Sequence, residues 1–237
     1  MKATYILTGA SSPLGIYLYK ALLKKNVPCL LVVRDASKLE GLEFFDKSLY
    51  EVWEGDLESE ASIDELCRKI LSLKNELAAF IHLAASSKED DFDIMKICNT
   101  FKVNVFSAWK LAKICIDRMS AAKGGRILFV GSIGHKFGGK HTRPGYSGSK
   151  YLLEYFPKPF RECAARNVLV NTLRLGVMRG GTQVSTGISD HKFSERLRLI
   201  PTRKYTSSAE AVRNILFLCS IKNKNIHNTV FTCSGGE

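Results

Sequence analysis

The sequence predicts an α/β fold, a doubly wound parallel sheet with helices on both faces. Short apolar runs rich in β-branched and large aliphatic residues alternate with longer stretches of helical period, in repeated strand–helix–strand order. The strongest runs are apolar throughout instead of alternating, as parallel strands are when crossover helices cover both sheet faces. Right-handed crossovers then fix how successive units pack.

The elements follow in chain order. ATYIL (3–7) is the first strand, and a helical pattern runs from Leu14 to Lys25. CLLVV (29–33) is the second strand and Tyr50–Trp53 a weaker third, followed by a helix over Ser62–Lys74. LAAFIHLA (77–84) precedes a long helix over Met95–Ala121, and RILFVG (126–131) precedes another over Gly145–Arg166. LVNTLRL (169–175), a helix over Ser207–Ser220 and a weak strand at Thr229–Thr232 complete about seven strands. Without an internal repeat, low-complexity tract or linker, residues 1–237 are expected to form one domain.

Composition narrows the function classes. At 45% hydrophobic and 24% charged residues, a disordered or collagen-like chain is excluded. No apolar run reaches the ~18 residues of a membrane span, and the first residues are too short in apolar content for a secretory signal. Seven cysteines without a C-x-x-C pair read as reduced, mostly buried thiols, so a cytoplasmic protein is expected. The five histidines lack metal-ligand spacing. A net charge of +12 favours polyanionic partners. The aromatic residues look like core, however, so a nucleic-acid surface is not expected.

Chemistry concentrates at the predicted carboxyl ends of the strands, where ligands of such sheets collect. TGASSPLG (8–15) joins the first strand to the first helix. Gly9 allows a tight turn, Gly15 allows close helix–strand packing, and the helix N-terminus offers amides to a pyrophosphate. Pro13 stands where such loops often carry another glycine; in a first helical turn it reshapes the loop without breaking the helix. At the end of the second strand, Arg34 suits a ribose 2′-phosphate, whereas Asp35 beside it would suit an unphosphorylated ribose. A solvated Arg–Asp pair is the plain alternative. Asp56, in GDL (55–57), is placed for an adenine amino group or for capping a helix.

Tyr146 and Lys150, in YSGSK, are four residues apart on a predicted helix and share a face. A free tyrosine has a pKa of ~10, and a nearby ammonium favours its phenolate. The phenol can then exchange a proton with a carbonyl or alcohol oxygen. Ser132 follows RILFVG at another strand end, and Asn104 lies in KVNVF within the long helix.

In their order, TGASSPLG, Asp56, HLAA (82–85), VN (103–104), GGRILFVGSIG, YSGSK, RLG (174–176) and the terminal SGG resemble the short-chain dehydrogenase/reductase family, in its single-domain branch. The resemblance spans essentially the whole chain. It implies a seven-stranded Rossmann-type sheet and a nicotinamide cofactor, and Arg34 at the end of the second strand favours NADP(H) over NAD(H). Tyr146 would be the acid/base, Lys150 would orient the ribose, Ser132 would bind the substrate oxygen, and Asn104 would hold a water linking Lys150 to solvent. The cofactor would lie against Gly9, Ser11, Ser12, Leu14, Gly15, Arg34, Asp56, Leu57, Ala84, Ala85, Tyr146, Lys150, Gly176, Val177, Met178 and Thr182. A homodimer or homotetramer is also implied. Departures are Pro13, HLAA in place of Asn-Asn-Ala-Gly, and Leu175 where proline commonly precedes Gly176. Pro157 and Pro159 fall within the predicted helix after Tyr146, where an interior proline costs ~3 kcal/mol or more.

Basic residues flank this constellation. His135, Lys136, Lys140, His141 and Arg143 lie between Ser132 and Tyr146 with no acid among them. Arg179, Lys192, Arg196, Arg198, Arg203 and Lys204 fall in or beside a substrate loop expected at about 177–204. They suggest an anionic substrate: a phosphorylated compound, a nucleotide-sugar, or an acyl group on an acidic carrier protein. A solvated basic surface that attracts NADPH is the alternative. The expected activity is hydride transfer between the cofactor and a carbonyl or alcohol. The rivals are a 3-oxoacyl-(acyl carrier protein) reductase and a non-catalytic NADPH-binding protein.

Overall fold

The computed structural model describes residues 3–178 and 190–237. Among them, seven strands form one parallel sheet: β1 (Thr4–Thr8), β2 (Cys29–Val33), β3 (Tyr50–Glu54), β4 (Leu77–His82), β5 (Gly125–Ser132), β6 (Val168–Leu175) and β7 (Thr229–Cys233). Their order is β3-β2-β1-β4-β5-β6-β7, with parallel pairing at every step. The winding therefore reverses between β1 and β4 and opens a crevice at their carboxyl ends.

The helices are α1 (Pro13–Leu23), α2 (Glu60–Leu71), α3 (Ile94–Phe101), α4 (Ser107–Ser120), α5 (Pro144–Leu152), α6 (Lys158–Glu162), α7 (Asp190–Leu199) and α8 (Ser208–Leu218). Side chains alternate across each strand, so the sheet feeds two cores. Ile6, Phe80 and Phe129 face one core with α2, α4 and Phe160. Leu7, Ile81 and Leu128 face the other with α1 and α8. All five residues of β2 are buried, which is why its sequence reads as one apolar run. β3 and β7 are edge strands with mixed burial, and their sequence signal is correspondingly weak.

Two helix predictions need correction. The stretch predicted as one helix over Met95–Ala121 contains a π-helical turn at Lys102–Phe106 between α3 and α4. π-turns inside α-helices re-aim side chains and are frequent at functional sites; Asn104 lies on this one. The helix predicted over Gly145–Arg166 is broken: α5 stops at Leu152, and a new helix starts after Pro157. Pro157 and Pro159 lack the amide that a continuing helix would need, so they sit at the entry and first turn of α6 instead. The segment predicted as a substrate loop carries the short helix α7.

Of the seven cysteines, Cys29, Cys67, Cys115, Cys163 and Cys219 are buried free thiols, Cys233 is half-buried and Cys98 is exposed. No helix among the described residues is long and apolar enough to cross a membrane.

Candidate active site

The turn from β1 into α1 is built from its own residues. Ser12 is the helix cap, its Oγ accepting from Gly15 N at 3.1 Å, and Pro13 occupies the first helical position. Pro13 has no amide and Ser12 takes that of Gly15, which leaves the Leu14 N–H as the early amide that neither uses. The glycines are demanded by the protein's own packing. Gly9 has φ +68°, and a Cβ there would lie 2.5 Å from Ala84 N. A Cβ on Gly15 would lie 2.5 Å from the Gly9 carbonyl oxygen. The loop thus packs against the end of β4, and Ser11 stands half-exposed between the two glycines.

At the end of β2 the two candidate ribose-binding side chains separate. Asp35 folds back to cap the following turn, accepting from Ser37 N at 3.0 Å and Ser37 Oγ at 2.6 Å. These hydrogen bonds hold its carboxyl below the usual range. Arg34 is exposed and makes no hydrogen bond or ion pair with any described residue. Asp56 is also exposed, and its Oδ1 accepts from Glu58 N at 2.9 Å; the cap of α2 is Ser59. Leu57 beside it is buried.

α5 brings Tyr146 and Lys150 together, with the Lys150 ammonium 6.0 Å from the centre of the Tyr146 ring. Lys150 is buried, and its Nζ donates to the Val130 carbonyl at 2.7 Å. Burial alone pushes its pKa down to about 8. An ammonium carries three donors, so this contact leaves capacity for further acceptors such as ribose hydroxyls. Ser132 ends the same strand two residues past Val130, and its Oγ accepts from Gly134 N at 3.2 Å.

Asn104 is fully buried on the π-turn. Its Nδ2 donates to the Ser86 carbonyl at 3.0 Å and to Ser149 Oγ at 2.8 Å, while its Oδ1 accepts from Ser86 N at 2.6 Å. Both amide protons are therefore spent on protein, tying the loop after β4 to α5.

Ala84 is half-buried, with its N–H 3.4 Å from Thr8 Oγ1, and Ala85 is exposed. Gly176 closes on β7, where a Cβ would lie 2.6 Å from Ser234 Cα. Val177 is buried, and Met178 packs on the α1/α8 core. Thr182 and Arg179 lie outside the described residues.

Three groups near this crevice were missed by the sequence analysis. His82, at the end of β4, is fully buried with Nδ1 2.9 Å from Thr8 Oγ1, while Nε2 makes no well-formed hydrogen bond. Burial, then the Lys150 charge, push its pKa down to about 3, with the Val103 carbonyl opposing. Its signal was a histidine inside an apolar strand. Glu154, in the turn after α5, accepts from His135 Nε2 and from Arg174 Nε, each at 2.7 Å. The helix break at Pro157 lets this carboxylate turn inward; its only sequence signal was an acid beside misplaced prolines. Asp90 is 1% exposed and accepts from Gly145 N at 3.0 Å. Nothing local to its sequence marks it.

The basic flank is also partly answered by acids distant in sequence. His135 meets Glu154, Arg143 meets Glu89 at 3.4 Å, and Arg196 meets the Glu237 carboxylate, while Lys136 donates to the main-chain oxygen of Glu237 at 3.4 Å.

Residues 3–192 match the short chain dehydrogenase family. Over 246 aligned residues the chain is 25% identical to a 3-oxoacyl-(acyl-carrier-protein) reductase of Buchnera aphidicola, covering 99% of this chain and 97% of that protein. The fold superposes on a short-chain type dehydrogenase/reductase from Mycobacterium ulcerans with a TM-score of 0.87 at 20% identity, covering 99% and 89% of the two chains. It matches a 3-oxoacyl (acyl-carrier-protein) reductase from Agrobacterium tumefaciens, solved with NADP bound, equally well: TM-score 0.87, 20% identity, coverage 99% and 94%. With its crevice at the β1/β4 switch and YSGSK on the helix beside it, the chain belongs to the short-chain dehydrogenase family of NAD(P)-dependent oxidoreductases.

Proposed function

We propose that this chain is an NADP(H)-dependent oxidoreductase acting on a carbonyl or alcohol substrate, with Tyr146 as the general acid/base. The observation that carries the reading is Lys150, buried beside Tyr146 on one helix face and anchored on the carbonyl of Val130. When bound, the nicotinamide supplies or accepts the hydride. Tyr146 then gives the substrate oxygen its proton in the reducing direction, Ser132 steadies that oxygen, and Lys150 favours the phenolate. Asn104 keeps α5 and the β4 loop in register.

Preference for NADP(H) rests on the end of β2. Asp35 is occupied by Ser37, while Arg34 stands exposed and unpaired among the described residues, as a 2′-phosphate partner would. Titration with NADPH and NADH tests this. NADPH binding at least about tenfold tighter, with the preference lost in Arg34→Ala, is expected for a paired phosphate. Equal binding of both would refute it. Tyr146→Phe should abolish turnover while leaving NADPH binding within a few-fold.

The second reading makes the substrate a 3-oxoacyl group on an acidic carrier protein. It is favoured by the name of the Buchnera relative, which aligns over nearly its full length, and by the surplus of positive charge. A KM for carrier-bound substrate that rises steeply with ionic strength would support it. A KM indifferent to salt and to the carrier would not.

A single cofactor-binding domain with a substrate segment at about 177–204, in a cytoplasmic homo-oligomer, completes the reading. Exposed Phe92, Ile94, Met95, Phe106, Tyr151 and Tyr155 on and around α3–α5 favour association of copies. Sedimentation equilibrium tests it, and a monomer at micromolar concentration would remove it.

A further inference from the structure

We propose that Asp90 is a positioning residue for the reaction, a cap supplied from the β4–α3 loop that fixes where α5 begins and therefore where Tyr146 stands. The proposal rests on the acid/base reading of Tyr146. α5 has no cap of its own: the residue before its first turn is Arg143, whose side chain makes no capping hydrogen bond, and Pro144 follows. Gly145, the second residue of the helix, therefore carries an amide that the helix cannot satisfy. Asp90 Oδ2 accepts that amide at 3.0 Å, one residue before Tyr146.

The carboxyl group is itself held from both sides. Its Oδ1 accepts from Phe92 N at 3.3 Å. The Asp90 N–H donates to the Thr142 carbonyl at 2.9 Å, just ahead of α5, and the Asp93 N–H donates to the Asp90 carbonyl at 2.7 Å. Asp91 and Phe92 take positive φ values of 45° and 64° in succession. Two adjacent non-glycine residues in that region carry strain, which persists where the surroundings over-determine it. Gly145 is shaped to the same contact, since a Cβ there would lie 2.8 Å from Asp90 Oδ2 and 3.2 Å from Ile97 Cγ1. Glu89 adds an outer tie, accepting from Thr142 Oγ1 at 3.1 Å.

The other end of this loop is fixed by Asn104 on Ser86. Asn104 and Asp90 thus clamp the loop at both ends, one on Ser149 past Tyr146 and one on Gly145 before it. A phenol displaced by ~1 Å from its productive place can cost ~100-fold in rate, so the clamp acts on kcat through helix position.

The test compares wild type, Asp90→Ala, Asp90→Asn and Gly145→Ala. The readouts are NADPH affinity, kcat and KM for a carbonyl substrate, and the exchange of the Gly145 amide in protein carrying 15N-glycine. Asp90→Ala and Gly145→Ala should lower kcat by ~30-fold or more, with NADPH affinity within about twofold. Asp90→Asn keeps an acceptor oxygen and should recover most of that loss. In Asp90→Ala the Gly145 amide should exchange faster. A kcat for Asp90→Ala within twofold of wild type overturns the proposal, as does an Asn variant as slow as the Ala variant. Should wild type bind NADPH yet reduce no carbonyl, or Tyr146→Phe keep full activity, the acid/base reading fails; the Gly145 amide would still report on the clamp by itself. An unchanged exchange rate in Asp90→Ala removes the clamp even if turnover falls.

Discussion

The helices α1 and α5 flank the same crevice and begin in opposite ways. α1 carries its own start: Ser12 caps Gly15, and Pro13 fills the first helical position. α5 borrows everything. Asp90 caps its first turn, Val130 anchors Lys150 in its last turn, and Glu154 just past its end is gripped by Arg174 and His135. A self-capped helix is placed by its own sequence, whereas a helix capped and held by distant segments is placed by the whole fold. Tyr146, the proposed acid/base, is on the second kind, where position matters most.

Breaking the borrowed contacts should cost more than breaking the local one. Glu154→Ala leaves the Arg174 guanidinium without its carboxylate in a site where both side chains are largely buried. A loss of about 3–5 kcal/mol is expected from chemical denaturation. Replacing Glu154 and Arg174 together by Met should restore most of it, and a double variant no more stable than Glu154→Ala would show that the pair does not act as a unit.

Gly9→Ala comes next. The left-handed backbone and the 2.5 Å approach of Ala84 N demand that the end of β4 shift, at about 3 kcal/mol. NADPH binding should fall with stability, because the turn proposed to hold its phosphates moves with it. A stable Gly9→Ala protein with unaltered NADPH affinity would contradict the packing described.

His82 lies between the two helix starts, touching Thr8 and feeling the charge of Lys150. Its pKa in the fold, about 3, lies below the ordinary value of 6.5, so the unfolded chain takes up the proton first as pH falls. Its contribution is complete above pH ~6.5 and is lost progressively toward pH ~3. Between pH 7 and 4.5 wild type should therefore lose about 2–3 kcal/mol more than His82→Asn, measured by urea midpoints at each pH. Parallel losses would mean that His82 titrates normally.

The smallest effect is expected at the self-capped end. Ser12→Ala should cost about 1 kcal/mol, because one side-chain acceptor is lost while backbone and proline remain. If it cost as much as Glu154→Ala, the contrast between the two helices would collapse.

The legible parts of the molecule were those fixed by neighbours in sequence. β2 and β5 read directly because burial on both faces forces an unbroken apolar run. β3 and β7 read weakly because edge strands need less. The order of TGASSPLG, Ser132 and YSGSK along the chain resembles that of the short-chain dehydrogenase family, and a parallel sheet brings successive strand ends to one edge, so the site was expected there. The long helix after Tyr146 was misjudged because two prolines were weighed only as an interruption.

By itself, then, the sequence determined the strand–helix alternation, the glycine turn with Pro13 in the first helical turn, and the spacing of Tyr146 to Lys150. Those rest on period, local hydrogen bonding and residue type, all of which act over a few positions. Only the tertiary structure decided that Asp35 is spent and Arg34 left open, that Glu154 answers His135 and Arg174, and that Asp90 reaches Gly145. Each of these depends on a side chain's rotamer or on partners 19 to 55 positions apart. No local pattern encodes the Glu154 and Asp90 meetings, because burial makes them worthwhile only after the sheet has brought the segments together.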